Sequence, residues 1–138
     1  MASITLKGRT IPLLYTVYEM KLVQEEIAPL SRAMSLLLGR NPDDPNDMSM
    51  YAGAEHISTA AKVIRILGNA GLEEAGLEPD LTFKGILRAM KPADLPGAVR
   101  ACLDAMEEGM TSEIPEEQPE GPVDVTLEEM KKKDGKES

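Results

Sequence analysis

The sequence is poor in the residues from which most active sites are made. Its 138 residues include one cysteine, one histidine and no tryptophan. A single cysteine excludes an intrachain disulfide and a thiolate metal cluster, and fits a reducing compartment. A single histidine cannot build a zinc site, and no serine or cysteine stands in triad spacing with His56. Aromatics stop at Tyr15, Tyr18, Tyr51 and Phe83. No apolar run reaches the length of a membrane-spanning helix or has the form of a signal peptide, so a soluble, intracellular chain without a membrane partner is expected. Positive charge is also in short supply. Residues 1–106 hold 13 acids and 11 bases, and residues 107–138 hold 11 acids and 4 bases. Nucleic acid demands a dense cationic surface, so it is not an expected partner.

What is present is a layout. The length suits one domain with a real core. Ile4 and Leu6 alternate with Ser3 and Thr5, Lys7-Gly8-Arg9 offers a turn, and Ile11 and Leu13 fit a second strand. A two-stranded hairpin is marginal alone and must pack on the rest of the chain. Val17, Met20, Val23, Ile27 and Leu30 then form a core-facing helical stripe, with Glu19, Lys21, Gln24, Glu25 and Glu26 on the solvent side. Pro29 disturbs the end of that helix. Ser31 is a cap for a second helix carrying Met34, Leu37 and Leu38, with Gly39 as its stop.

Asn41 to Asp47 is a polar loop of turn formers. Its three carboxylates raise the question of calcium, but the loop lacks the glycine and the terminal glutamate of a calcium-binding loop. The longest helix is expected from about Met48 to Gly68, with Met50, Ala54, Ile57, Ala61, Ile64 and Leu67 on one face and His56 at the surface or boundary. None of the glycines from Gly68 to Gly76 follows a strand in a phosphate-binding pattern. Thr82 or Asp80 caps a helix containing Phe83, Ile86, Leu87 and Met90. Asp94 caps a last helix with Pro96 in its first turn and Leu95, Val99, Cys102 and Met106 buried. The setting of Cys102 predicts a buried structural thiol. The nine methionines serve as adaptable core filler or as a surface that accepts partners.

The periodic pattern stops at Gly109, so residues 1–108 are expected as the folded domain and 109–138 as an acidic, disordered tail. Pro115, Pro119 and Pro122 stand there among Glu113, Glu116, Glu117 and Glu120, with too little apolar surface to offset chain entropy. One island differs. Val123, Val125, Leu127 and Met130 are apolar, and Thr126 with Glu129 has capping-box spacing. These four are the candidate partner-binding residues, against the alternative of a solvated linker.

The fold class expected is α+β and mostly helical, with a small N-terminal hairpin packed on helices. Two stretches carry a resemblance. Ile4-Thr-Leu-Lys-Gly-Arg-Thr-Ile-Pro-Leu13 runs into a glutamate-rich helix. Pro79-Asp-Leu-Thr-Phe-Lys-Gly-Ile-Leu87 precedes Met90-Lys-Pro-Ala-Asp-Leu-Pro96 and a closing helix. In layout, over residues 3–108, the chain resembles the tail assembly chaperones of long-tailed bacteriophages. The resemblance implies a chaperone that coats the tape measure protein and helps tail-tube protein polymerise around it in the host bacterial cytoplasm. Such a chaperone is absent from the finished tail. It also implies a longer product made by ribosomal frameshifting. Lys131-Lys-Lys133 and Gly135-Lys136 fit slippery codons, or simply a basic end balancing Glu128 and Glu129. Self-association is compatible with it.

Other readings remain beside this one: a different phage structural or head–tail completion protein, or a small intracellular adaptor with an acidic arm. No enzyme is expected, and no cofactor or metal. The glutamates fall on solvent faces or in the tail, and not around a cleft where acid–base chemistry could be positioned.

Overall fold

The computed structural model describes residues 1–111. The candidate partner residues Val123, Val125, Leu127 and Met130 lie outside the described residues. The fold is α+β and mostly helical: one antiparallel hairpin followed by five α-helices.

The hairpin pairs β1 (Ser3–Leu6) with β2 (Arg9–Pro12), and Leu6 opposite Arg9 closes the ladder. Lys7 and Gly8 alone form the turn, with φ of 50° and 77°. Two positive φ values in a two-residue loop match the right-handed twist of the strands. Arg9, expected in the turn, therefore belongs to the second strand. Ile4, Leu6 and Ile11 face inward, and Leu13 just beyond β2 is also buried.

Helix α1 (Val17–Glu26) starts at a capping box. The Thr16 amide donates to Glu19 Oε1 at 2.9 Å, the Thr16 hydroxyl bonds the same carboxylate, and the Tyr18 amide donates to Thr16 Oγ1 at 3.3 Å. This box corrects two expectations. It folds Glu19 back onto the helix start and buries it, although the helical wheel placed it toward solvent. It also turns Val17 outward, leaving that residue 76% exposed, so the core stripe begins at Met20. Proline has no amide hydrogen to continue a helix. Pro29 accordingly caps α2 (Leu30–Leu37), which places Leu30 and Ser31 inside the second helix, with Ser31 not its cap. Gly39, at φ 77°, ends it as expected, with the Arg40 amide donating to the Ser35 carbonyl at 2.8 Å.

Helix α3 (Ala54–Glu74) is the axis of the fold and touches α1, α2, β2 and both later helices. It begins and ends six residues later than its sequence pattern indicates. At the start, Met48 to Gly53 forms tight turns, Ala52 sits at φ 62°, and the Tyr51 backbone packs on Gly39, where a Cβ would lie 2.9 Å from Tyr51 Cα. Met50 is thus off the helix. At the end, α3 runs through Gly68 and Gly71, because these glycines admit neighbours. A Cβ on Gly71 would stand 1.9 Å from the Pro12 carbonyl oxygen, and one on Gly68 would stand 2.5 Å from Leu81 Cδ1. The Leu14 amide donates to the Leu67 carbonyl at 3.1 Å, fastening the end of the hairpin to the helix.

Helix α4 (Phe83–Ala89) is capped by Thr82, whose hydroxyl accepts from the Gly85 amide at 3.0 Å. Asp80 instead pairs with Arg9 at 3.0 Å. Asp94 accepts from the Lys91 amide at 2.8 Å and closes a 3-10 turn, Pro92–Asp94; its side chain makes no cap on α5 (Leu95–Met110). The predicted stripe of Leu95, Val99, Cys102 and Met106 is buried, joined by Ala98 and Ala105. Helix α5 continues two residues past the expected boundary at 108. Gly109 lies under the Tyr15 carbonyl, where a Cβ would be 2.2 Å away. Tertiary contact holds a turn that propensity alone would abandon.

Candidate partner-binding groove

The start of α3, the end of α4 and the start of α5 do not close on one another. An open apolar groove of about 370 Å³ lies between them, formed by Tyr51, Ile57, Leu87, Met90, Pro92 and Leu95, with Lys91 at its edge. The residues of α4 explain why it stays open. Ile86 is wholly buried against the core, whereas Leu87 and Met90 are only half-buried and reach into the groove. All four residues of the expected stripe meet the core, but Met90 falls just past the end of α4, and it and Leu87 also border the groove. Tyr51 is 47% exposed on the other side. Unfilled apolar surface with a polar rim is the usual form of a protein-binding site.

The wall behind Tyr51 is fixed by His56. This residue is fully buried, which corrects the expectation of a surface or boundary position. Its Nδ1 lies 3.0 Å from the Leu36 carbonyl oxygen, and its ring centroid lies 5.0 Å from that of Tyr51. A carbonyl only accepts, so Nδ1 carries the hydrogen and donates. Leu36 lies in the last turn of α2, and its carbonyl also accepts from the Gly39 amide at 3.0 Å. The imidazole adds a second hydrogen bond to that carbonyl and joins α2 to α3. Nε2 is buried with no hydrogen-bond partner among the described residues. The joint thus holds the Tyr51 side of the groove in place.

Lys91, just past the end of α4, is the base at the groove's edge, and Lys84 and Arg88 stand on α4 itself. Phe83 to Lys91 contains Lys84, Arg88 and Lys91 and no acid, in a chain of net charge −9. All three are exposed, and none enters an ion pair among the described residues. Arg9, Lys21, Arg65 and Arg100 each hold a carboxylate within 3.4 Å, whereas Lys7, Arg40 and Lys62 likewise enter no ion pair among the described residues.

The other polar groups are committed to structure. Cys102 is fully buried, and burial pushes its thiol up to about 12. A thiol so far from ionising is a poor nucleophile. In the acidic loop, Asp47 Oδ1 accepts from the Ser49 amide at 2.9 Å, and Oδ2 accepts from Asn41 Nδ2 at 3.3 Å. The Ser49 hydrogen bonds, followed by Asn41, hold the Asp47 carboxyl below its ordinary value. Asp44 accepts from the Asn46 amide at 3.2 Å. Among the described residues no three ligating side chains gather to hold a metal ion, and no helix is long and apolar enough to cross a membrane.

Sequence reasoning placed the candidate contacts in the tail and missed the groove: Leu87, Met90 and Leu95 read as core, which they join, but they also border the groove. The run Phe83–Lys91 carries three bases and no acid, but residues 1–18, 27–42 and 56–72 are longer acid-free runs, so the absence of acid did not single it out. No protein-family model, curated protein or solved structure matches this chain.

Proposed function

We propose that this protein is a tail assembly chaperone of a long-tailed phage or prophage. It acts in the host bacterial cytoplasm, holds the tape measure protein, assists polymerisation of the tail-tube protein and leaves before the tail is complete. The observation that carries the reading is the open groove between α3, α4 and α5. It presents apolar side chains that the fold itself leaves unfilled, and one of them is the flexible Met90, which adapts to varied partner surfaces. A long helical partner offers apolar residues at helical spacing, and such a face laid into a groove is a standard mode of recognition. The resemblance of layout over residues 3–108 supplies the partner's identity.

The test is co-expression with tape measure and tube proteins followed by capture. The wild-type chain should retain the tape measure protein, and Leu87→Asp with Met90→Asp should lose it. Removing two desolvated apolar contacts is worth about 2 kcal/mol or more, at least roughly 30-fold in affinity. The protein should also be missing from purified virions. Failure of the wild-type chain to capture either protein would overturn the proposal, and its presence in virions would make it a structural component.

A further inference from the structure

We propose that the groove has a second occupant within the same chain: the acidic apolar segment Glu120–Met130 docks there and competes with the external partner. This rests on the reading of the groove as a docking surface, and not on the partner's identity.

Charge and chemistry argue for the match. The groove is apolar and edged by Lys91, and Lys84 and Arg88 continue the cationic surface along α4. Within Glu120–Met130, Val123, Val125, Leu127 and Met130 alternate with Asp124, Glu128 and Glu129, with Glu120 at the front. The segment thus combines the two properties the groove asks for, apolar side chains and negative charge. Lys91, and Lys84 and Arg88 on α4, have no carboxylate partners among the described residues, so they are available to it.

Reach is sufficient. Helix α5 measures the separation, since Leu95 lines the groove and Met110 adjoins Thr111, the last described residue. Sixteen helical residues span about 24 Å. The chain from Thr111 to Val123 spans up to about 40 Å when extended. A tether of this length places the segment at an effective concentration on the order of 1 mM near the groove, enough to weaken an external partner about two- to tenfold if the segment's own affinity is similarly modest. Such a contact would shield the apolar groove until a stronger partner displaces the segment.

The test is paramagnetic labelling of the full chain. Thr126→Cys introduces a thiol that can be labelled with a nitroxide while buried Cys102 stays unreacted, and wild-type protein treated identically provides the check. The amides of Leu87, Met90 and Tyr51 should lose most of their intensity, that of Leu77 beyond the far end of α3 should not, and dilution should leave the pattern unchanged. Lys84→Glu with Arg88→Glu, both exposed, should restore the lost intensity. Broadening spread evenly over the surface overturns the proposal. So does broadening that appears only when labelled chains are mixed with unlabelled, isotopically enriched ones, which would make the occupant a second copy. Tail contact without capture of tape measure or tube protein would sink the function and leave this inference standing. Capture through the groove without tail contact would do the reverse.

Discussion

Replacing Gly71 by alanine separates packing from helix propensity more cleanly than any other single change in this fold. On propensity alone, Gly71→Ala inside α3 would stabilise by up to about 1 kcal/mol. The structure reverses the sign. The new methyl would lie 1.9 Å from the Pro12 carbonyl oxygen and 2.5 Å from its carbon, both backbone atoms that no rotamer change can move. Relieving the clash means lifting the hairpin off α3, which strains the Leu14–Leu67 hydrogen bond at 3.1 Å and opens space beside Leu13. Overpacking of this kind costs about 1–3 kcal/mol and sometimes more. Set against the propensity gain, a net loss of about 2 kcal/mol is expected. Gly97→Ala is the matched control, because no heavy atom stands within 4 Å of its Cβ position near the start of α5. It should be neutral or stabilise by up to about 1 kcal/mol. Urea unfolding followed by circular dichroism at constant m-value measures both. In thermal melts the Gly71 variant should fall by about 6–12 °C for a domain of this size. A Gly71→Ala protein as stable as wild type, or a Gly97→Ala protein equally destabilised, would refute the close approach of β2 to α3.

Particular contacts set four further outcomes. His56→Ala should cost about 2–4 kcal/mol by emptying a buried site and cutting the hydrogen bond that joins α3 to α2, whereas His56→Phe should cost less because the site stays filled and the unpartnered Nε2 goes as well; chemical denaturation ranks the two. Lys7→Asn should stabilise the hairpin by about 0.5–1 kcal/mol, since asparagine accepts the left-handed conformation that lysine holds there at φ 50°, and a higher melting temperature would show it. The Cys102 thiol keeps its proton in the folded state up to about 12, so its contribution is complete below the ordinary value of 9.0 and is lost as pH rises toward 12. Stability should then fall in that window by up to about 1.4 kcal/mol per pH unit, with a shallower slope in Cys102→Ala. For Asp47 the sign is opposite: its stabilisation is present above the ordinary carboxylate value and is lost as pH falls through its lower folded value, which a carboxyl NMR titration compared with Ser49→Pro should reveal.

Features legible in the sequence have local causes. The alternation of Ile4, Leu6 and Ile11 around Lys7-Gly8 needs only side-chain period and turn sterics. The same holds for the Thr82 cap, the Gly39 stop and the buried stripe from Leu95 to Met106, each written within a few consecutive residues. Features that the sequence hid depend on a partner group elsewhere. Glu19 looks solvent-facing on a helical wheel until the Thr16 cap folds it back. Gly68, Gly71 and Gly109 look like helix stops until β2, Leu81 and Tyr15 arrive to fill the space that a side chain would take. His56 looks like a surface residue until α2 packs over it and its ring bonds the Leu36 carbonyl.

The groove shows the division most plainly. Sequence alone determined that α4 is amphipathic and that Phe83–Lys91 carries three bases and no acid, because composition and helical spacing are properties of the chain itself. Only the tertiary structure decided that Ile86 is wholly buried while Leu87 and Met90, packed in part on the core, also border an open cleft. Helical periodicity shows which side chains share a face, but whether that face is covered depends on where α3 and α5 come to rest. Their positions are set by close backbone contacts at Gly71 and Gly109 and by the His56–Leu36 bond, which join residues from 20 to 94 positions apart.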